Sequence, residues 1–218
     1  MKLIPYSINT GEINMKTDEK LLDKAISEVE NDAIFRLYGW SPACISLGRN
    51  QNNGFLDNDL LNKYNIDTVR RLTGGRALLH DNELTYSFIS STDYLKKGES
   101  VIESYKEISQ ILIDIFKEVG IELTLGGGKH VNTRFDYCML ISTGADLCWK
   151  NRKFIGSAQC RKNGYILQHG SILLDYNREL LQSIFKEEVN TDSIVSLKEI
   201  NPNIEINDII NIANKMFS

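Results

Sequence analysis

Two stretches of the chain repeat apolar residues at helical spacing. Leu21, Leu22, Ala25, Ile26 and Val29 follow Thr17 and Asp18, whose side chains suit a helix N-terminus. Later, Val101, Tyr105, Ile108, Ile111, Leu112, Ile115, Phe116 and Val119 stripe one side of a longer amphipathic helix that starts near Ser100 and stops at Gly120. Both stripes predict core-facing helices. Around them lie short runs bounded by turn residues, AIFRLYGW, ACISLG, DTVRRL, LTYSFIS, IELTL, ADLCWK, KFIGSAQC and GYILQHGSILL, which all read as strands. Turns at Asn151-Arg152 and Asn163-Gly164 are too tight for helical crossovers, so the late strands pair antiparallel. From about Thr191 the chain reads as a loop holding SLKEI, then a short amphipathic helix with Ile206, Ile209, Ile210, Ile212 and Met216. The predicted fold class is α+β, a mixed, largely antiparallel sheet backed by helices.

The 218 residues are 42% hydrophobic and 25% charged, the balance of a globular chain with a sizeable core. No internal repeat is present, and the last helix is too short to be a second unit, so one domain over residues 1–218 is expected. A net charge of -4 argues against nucleic acid as a partner and points to a protein or a small molecule. No apolar run approaches the roughly 18 residues that span a bilayer, and the N-terminal segment lacks the apolar stretch of an export signal. A cytoplasmic location with no membrane association is therefore expected. Cys44, Cys138, Cys148 and Cys160 lie far apart without a CxxC pair, and the chain has only three histidines, which disfavours a zinc site; no metal is expected. Each thiol is then either a small buried apolar group or a reactive nucleophile.

Three segments could carry chemistry. In RRLTGGRALLHDNELTYSF, residues 70–88, Gly74 and Gly75 permit positive φ and close approach to a ligand, while Arg70, Arg71 and Arg76 supply guanidinium donors. A hairpin with solvated arginines would read the same way. In RKFIGSAQCRKNGYILQHGSILL, residues 152–174, Lys153 opens a strand whose next residues, Gly156, Ser157 and Ala158, are small enough to leave room for a slender ligand. A strand lysine beside Arg152 could equally be a solvated one. In FDYCMLISTGADLCWK, residues 135–150, Cys138 follows a polar, glycine-rich loop, whereas Cys44 and Cys148 fall in strand-like runs; on pattern Cys138 is the least core-like thiol.

The blocks SLGRNQ (46–51), RRLTGGRALLHDNELTYS (70–87), KFIGSAQ (153–159) and LQHGSILL (167–174) resemble, in order and spacing, those of the lipoate/biotin protein ligase superfamily. Within it they look most like the octanoyl-carrier-protein:protein octanoyltransferases, where GGRA and ELTYS stand in place of the GGGA and less polar continuation common in lipoate ligases. That group places a nucleophilic cysteine about fifteen positions before the lysine of the KxxGSAQ block, and Cys138 stands fifteen before Lys153. The segment after Cys138, Met139-Leu140-Ile141-Ser142-Thr143, departs from the aromatic and Pro-Ser segment usual there.

The resemblance implies the lipoate/biotin ligase type of catalytic fold and an acyltransferase acting in lipoate biosynthesis. An octanoyl group would pass from octanoyl acyl carrier protein to a Cys138 thioester, then to a lysine of a lipoyl-domain acceptor such as glycine cleavage H protein. No cofactor is implied, because the donor thioester is already activated. It implies Lys153 as the cation that favours the thiolate and steadies charge on the thioester oxygen. Arg71, Gly74, Gly75 and Arg76 would wall the acyl tunnel together with Gly156, Ser157 and Ala158. His80 and His169 would lie beside it, either as proton carriers or as hydrogen-bonded scaffold. Three other readings remain: an ATP- and magnesium-dependent lipoate ligase, an amidotransferase between lipoyl-domain proteins, and a non-catalytic module that binds an acyl group or a partner.

Overall fold

The computed structural model describes residues 1–127, 146–185 and 191–217. Its main sheet holds seven strands in the order β1-β2-β6-β10-β9-β8-β7. These are β1 (Lys2–Asn9), β2 (Ile34–Trp40), β6 (Glu83–Ser91), β10 (Tyr165–Leu173), β9 (Arg152–Lys162), β8 (Leu147–Trp149) and β7 (Thr124–Leu125). The β1/β2 pair is parallel and every other neighbour is antiparallel, so the sheet is mixed and largely antiparallel, as expected from the sequence. A second sheet of three strands has the order β4-β3-β5, with β3 (Cys44–Leu47) between β4 (Asp67–Arg70) and β5 (Leu78–His80).

Alternation along the central strands sends side chains to two different cores. Phe35, Leu37, Leu84, Tyr86, Phe88 and Ile166 pack against α3 (Val101–Glu118) and α6 (Ile206–Phe217) through Ile108, Leu112, Ile115, Phe116, Ile209 and Ala213. On the opposite face, Ile34, Ile89, Tyr165 and Leu167 meet Leu22 and Ala25 of α1 (Gly11–Glu28). The small sheet has its own core, where Ile45, Leu47 and Leu79 join Leu61 of α2 (Asn58–Lys63) and Leu181, Ile184 and Phe185 of α4 (Arg178–Phe185). The SLKEI segment forms α5 (Leu197–Ile200), closed by a capping box between Ser196 and Glu199.

Helix α3 follows its sequence signals: the Ser100 side chain caps its start and Gly120 adopts φ +74° just past its end. Helix α1 does not. It begins six residues before Thr17, capped by Thr10, and Asp18 sits buried inside the helix instead of at its N-terminus. The apolar stripe marks only the part of the helix that meets the sheet, so the expected start was too late. Strand β1 was missed as well. Pro5 interrupts its pattern, and the β1/β2 register shifts between Ile4 and Ser7, which an edge strand tolerates.

Both late hairpins have two-residue turns with positive φ at each position, the geometry that matches strand twist. One lies at Asn163-Gly164, as expected; the other lies at Lys150-Asn151, one residue earlier than expected, because Trp149 pairs with Arg152. Among the described residues no helix is long and apolar enough to cross a membrane.

Candidate active site

A narrow cleft lies where the small sheet meets the α1 face of the main sheet. Tyr38, Trp40, Thr85, His169 and Ser171 come from the main sheet, Ser46, Leu78 and His80 from the small one, and Met15 from α1. Room for it is made on β9. Gly156 pairs with Ser171 and Ala158 with His169, so the two smallest side chains of the strand fall on the cleft face. Ser157, the third small residue of the predicted set, turns its hydroxyl to Tyr86 Oη at 2.7 Å, on the opposite face. Gly170 is required there: a Cβ would lie 2.6 Å from Tyr86 Cε1 and 2.8 Å from Ser157 Oγ.

Lys153 sits at an irregularity in the ladder. Leu147 pairs with Ile155, but Cys148 pairs with Lys153, so β9 gains one residue against β8. Phe154 and Ile155 consequently both join the α3 core, and Lys153 is re-aimed to the side that Gly156 and Ala158 occupy. Its side chain is buried and ion-paired with the equally buried Asp146 at 3.1 Å. A solvated strand lysine would show neither feature. Cys138 lies outside the described residues.

A chain of buried polar groups forms the cleft wall. Asp18 Oδ1 accepts from Arg36 at 2.9 Å and Ser87 at 3.0 Å, and its Oδ2 accepts from Tyr38 Oη at 2.9 Å and faces His169 Nδ1 at 3.3 Å. Burial by itself would raise the Asp18 pKa. The hydrogen bond from His169, the Arg36 charge and the Tyr38 hydroxyl outweigh it and hold the carboxyl below its ordinary value. On its other side His169 Nε2 lies 2.7 Å from Thr73 Oγ1. A carboxylate at Nδ1 fixes the proton on that nitrogen, so the Thr73 hydroxyl donates to Nε2.

Arg71 continues the wall. It donates to Thr73 Oγ1, to both the carbonyl and the hydroxyl of Ser46, and to the carbonyls of Gly74 and Arg76. These bonds shape the Gly74-Gly75 turn, in which Gly75 takes φ +91°. Arg71 thus lines the cleft as a structural clamp, while Gly74, Gly75 and Arg76 border a neighbouring surface hollow together with Arg49, Asn50 and Gln51. His80 stacks on Trp40 with ring centroids 3.8 Å apart and places Nε2 2.8 Å from Ser46 Oγ. Burial lowers its pKa and the nearby Glu83 only partly opposes this, which favours a neutral ring.

Of the sequence-predicted residues, Arg71, His80, Gly156, Ala158 and His169 line one cleft, Ser157 borders it with its hydroxyl turned away to Tyr86, and Lys153 lies further along the same strand. Asp18, Arg36, Ser46, Thr73 and Thr85 were not anticipated. Asp18 and Arg36 carried a signal: each is a charge within an otherwise apolar helix stripe or strand, where burial demands a partner. The described thiols behave as core groups. Cys44 and Cys148 are buried, and burial pushes the Cys44 thiol up to about 12 and Cys160 above its ordinary value. Among the described residues no group of three or more His, Cys, Asp or Glu side chains could hold a metal ion.

The family model described as lipoyl protein ligase A/B catalytic domain matches residues 10–218. Octanoyltransferase LipM of Clostridioides difficile (strain 630) is 40% identical over 180 residues, covering 81% of this chain and 66% of that protein. Octanoyltransferase LipM of Bacillus subtilis (strain 168) is 38% identical over 180 residues, covering 79% and 64%. The chain therefore spans about two thirds of the length of these relatives. Among solved structures, a lipoate protein ligase from T. acidophilum with bound lipoic acid matches with a TM-score of 0.75 at 19% identity, covering 100% of this chain and 83% of that one. A lipoate-protein ligase A bound with ATP matches with a TM-score of 0.76 at 20% identity, over the same shares. At these identities the likeness is one of fold. On the match over residues 10–218 and the relatives it brings together, this chain belongs to the lipoyl protein ligase A/B catalytic domain family.

Proposed function

We propose that this chain, as a single catalytic domain over residues 1–218, transfers an octanoyl group from octanoyl acyl carrier protein to a lysine of a lipoyl-domain protein, of which glycine cleavage H protein is one. The observation that carries this reading is Lys153, buried at an irregularity of the β8/β9 pairing three residues before Gly156, on the strand whose Gly156 and Ala158 line a narrow cleft. The identity to proteins named octanoyltransferase supports it. The cleft lining is mostly apolar, with Met15, Leu78, Gly156 and Ala158 among its residues, which suits an acyl chain.

The reaction has two steps. The Cys138 thiolate attacks the donor thioester carbon, and the tetrahedral adduct expels the carrier thiolate, which takes up a proton. The acceptor amine then attacks the acyl-cysteine, loses a proton and expels the Cys138 sulfur. Lys153 favours the thiolate and the charge that develops on the acyl oxygen. Both steps proceed from an activated thioester, so neither ATP nor magnesium enters, and thiol chemistry of this kind suits a cytoplasmic setting.

Intact mass measurement tests the reading. Incubated with octanoyl acyl carrier protein alone, the enzyme gains one octanoyl group that hydroxylamine removes. Addition of a lipoyl domain moves the group to that domain without nucleotide. Modification that occurs only with free octanoic acid, ATP and magnesium would assign the chain to the ligases.

A further inference from the structure

Three buried polar atoms at one end of the cleft have no hydrogen-bond partner among the described residues: Ser171 Oγ, His80 Nδ1 and Glu83 Oε2. They gather around Thr85. Ser171 is its ladder partner on β10, and Glu83 Oε1 accepts the Thr85 hydroxyl at 2.7 Å. His80 Nδ1 lies 3.4 Å from that same Glu83 oxygen, without the alignment of a hydrogen bond. Buried groups in native proteins are almost always paired, so a cluster of orphans inside a ligand cleft marks a place where a ligand supplies the partner. The rest of the cleft wall contrasts with it, since Asp18, His169, Thr73 and Arg71 are bonded to one another.

The orphans differ in kind. The hydroxyl of Ser171 is free to donate. With its proton on Nδ1, the nitrogen that faces Glu83 Oε1 at 3.4 Å, His80 accepts at Nε2 from the Ser46 hydroxyl, and its Nδ1–H is a second donor at this end of the cleft. Both residues line the cleft, and donors of this kind suit a carbonyl oxygen. The neighbouring floor is Gly156, the β9 partner of Ser171, whose missing side chain lets an acyl carbon approach, and Lys153 stands three residues away on the same strand.

We propose that Ser171 is a catalytic residue whose hydroxyl, with the Nδ1–H of His80 beside it, donates to the oxygen of the acyl carbonyl. The proposal rests on the acyl-transfer reading above and deepens it. When sulfur or nitrogen attacks the acyl carbon, the π pair moves onto this oxygen, and the two donors bind the resulting anion. Collapse returns the pair to the carbonyl as the carbon–sulfur bond breaks and the departing sulfur takes up a proton. The oxygen thus gains charge in both half-reactions, and the same donors serve each.

The test exploits the missing partner. Because Ser171 Oγ has no hydrogen-bond partner among the described residues, Ser171→Ala should melt at the same or a higher temperature than wild type. In single-turnover octanoylation it should lose about 10²–10³ in rate, the usual effect of removing one such donor, with little change in KM for the carrier. Ser171→Thr keeps the hydroxyl, sets its methyl beside Gly156, and should restore most of the rate. A wild-type rate in Ser171→Ala overturns the proposal, as does a rate loss that comes with a lower melting temperature and persists in Ser171→Thr. Failure of the wild-type enzyme itself to take octanoyl from the carrier removes the transferase reading and the proposal with it.

Discussion

Asp18→Asn is the perturbation whose magnitude the structure defines best. All four neighbours of the carboxylate donate: Arg36 and Ser87 to Oδ1, Tyr38 and His169 to Oδ2. An asparagine must turn its NH2 toward one of these pairs, setting donor against donor, and it leaves the buried Arg36 guanidinium without its counter-charge. Breaking one partner of a buried pair costs about 3–5 kcal/mol. For a chain of this size each kcal/mol moves the melting temperature by about 2–4 °C, so a fall of roughly 6–20 °C is expected. Thermal melts and urea titrations measure it. The pH dependence follows from the depressed native pKa of Asp18. The carboxylate stabilises the fold fully above its unfolded pKa of about 4, and that contribution is lost as pH falls through the lower native value. The gap between wild type and variant should therefore be widest above about pH 4 and close below it. Replacing both members, Asp18→Leu with Arg36→Met, should cost less than Asp18→Asn alone. A single variant within about 1 kcal/mol of wild type at neutral pH would refute the claim that this network is built around a charge.

Two further predictions concern the reacting groups. Lys153→Met should lower single-turnover octanoyl transfer at least about a hundredfold, as loss of an electrostatic stabiliser does, and near-normal turnover would remove the lysine from the mechanism. With substoichiometric iodoacetamide followed by peptide mapping, Cys138 should alkylate first. Cys44, buried and pushed up to about 12, Cys148, buried, and Cys160, raised by burial, should lag, and label found first on Cys44 would contradict the assignment of the nucleophile.

Much of the fold was legible because its elements answer to local physics. The α3 stripe, the Ser100 cap and the Asn163-Gly164 turn each act over a few residues, and all fall where the pattern puts them. The elements that were missed depend on distant partners. Strand β1 exists because β2 offers it a parallel edge, and α1 extends back to Thr10 because Asn14 and Asp18 bond to β2. The site followed the same division. Gly156, Ala158 and His169 could be placed by alternation once β9 and β10 were recognised. The aim of Lys153 could not, since strict alternation from Gly156 would send it to the α3 face. Only the extra residue in β9, a property of its pairing with β8, turns it back.

The direction of each hydrogen bond along the cleft wall limits what the wall can do. Arg71 Nε donates to Thr73, Thr73 to His169 Nε2, and His169 Nδ1 faces the Asp18 carboxylate, which also receives Arg36, Tyr38 and Ser87. The sequence begins at a guanidinium, which always donates, and ends at a carboxylate, which accepts, so its orientation is fixed at both ends. His169 has both nitrogens engaged and serves as scaffold; for it to act as a base, Thr73 would have to give up its bond to Nε2. An apolar acyl chain lying against this part of the wall strands no polar group. At the other end, Ser171 Oγ and His80 Nδ1 have no hydrogen-bond partner among the described residues. On the acyl-transfer proposal, a chain bound with its carbonyl at that end would satisfy them and one bound in reverse would not, so the wall would orient the acyl group before any covalent step.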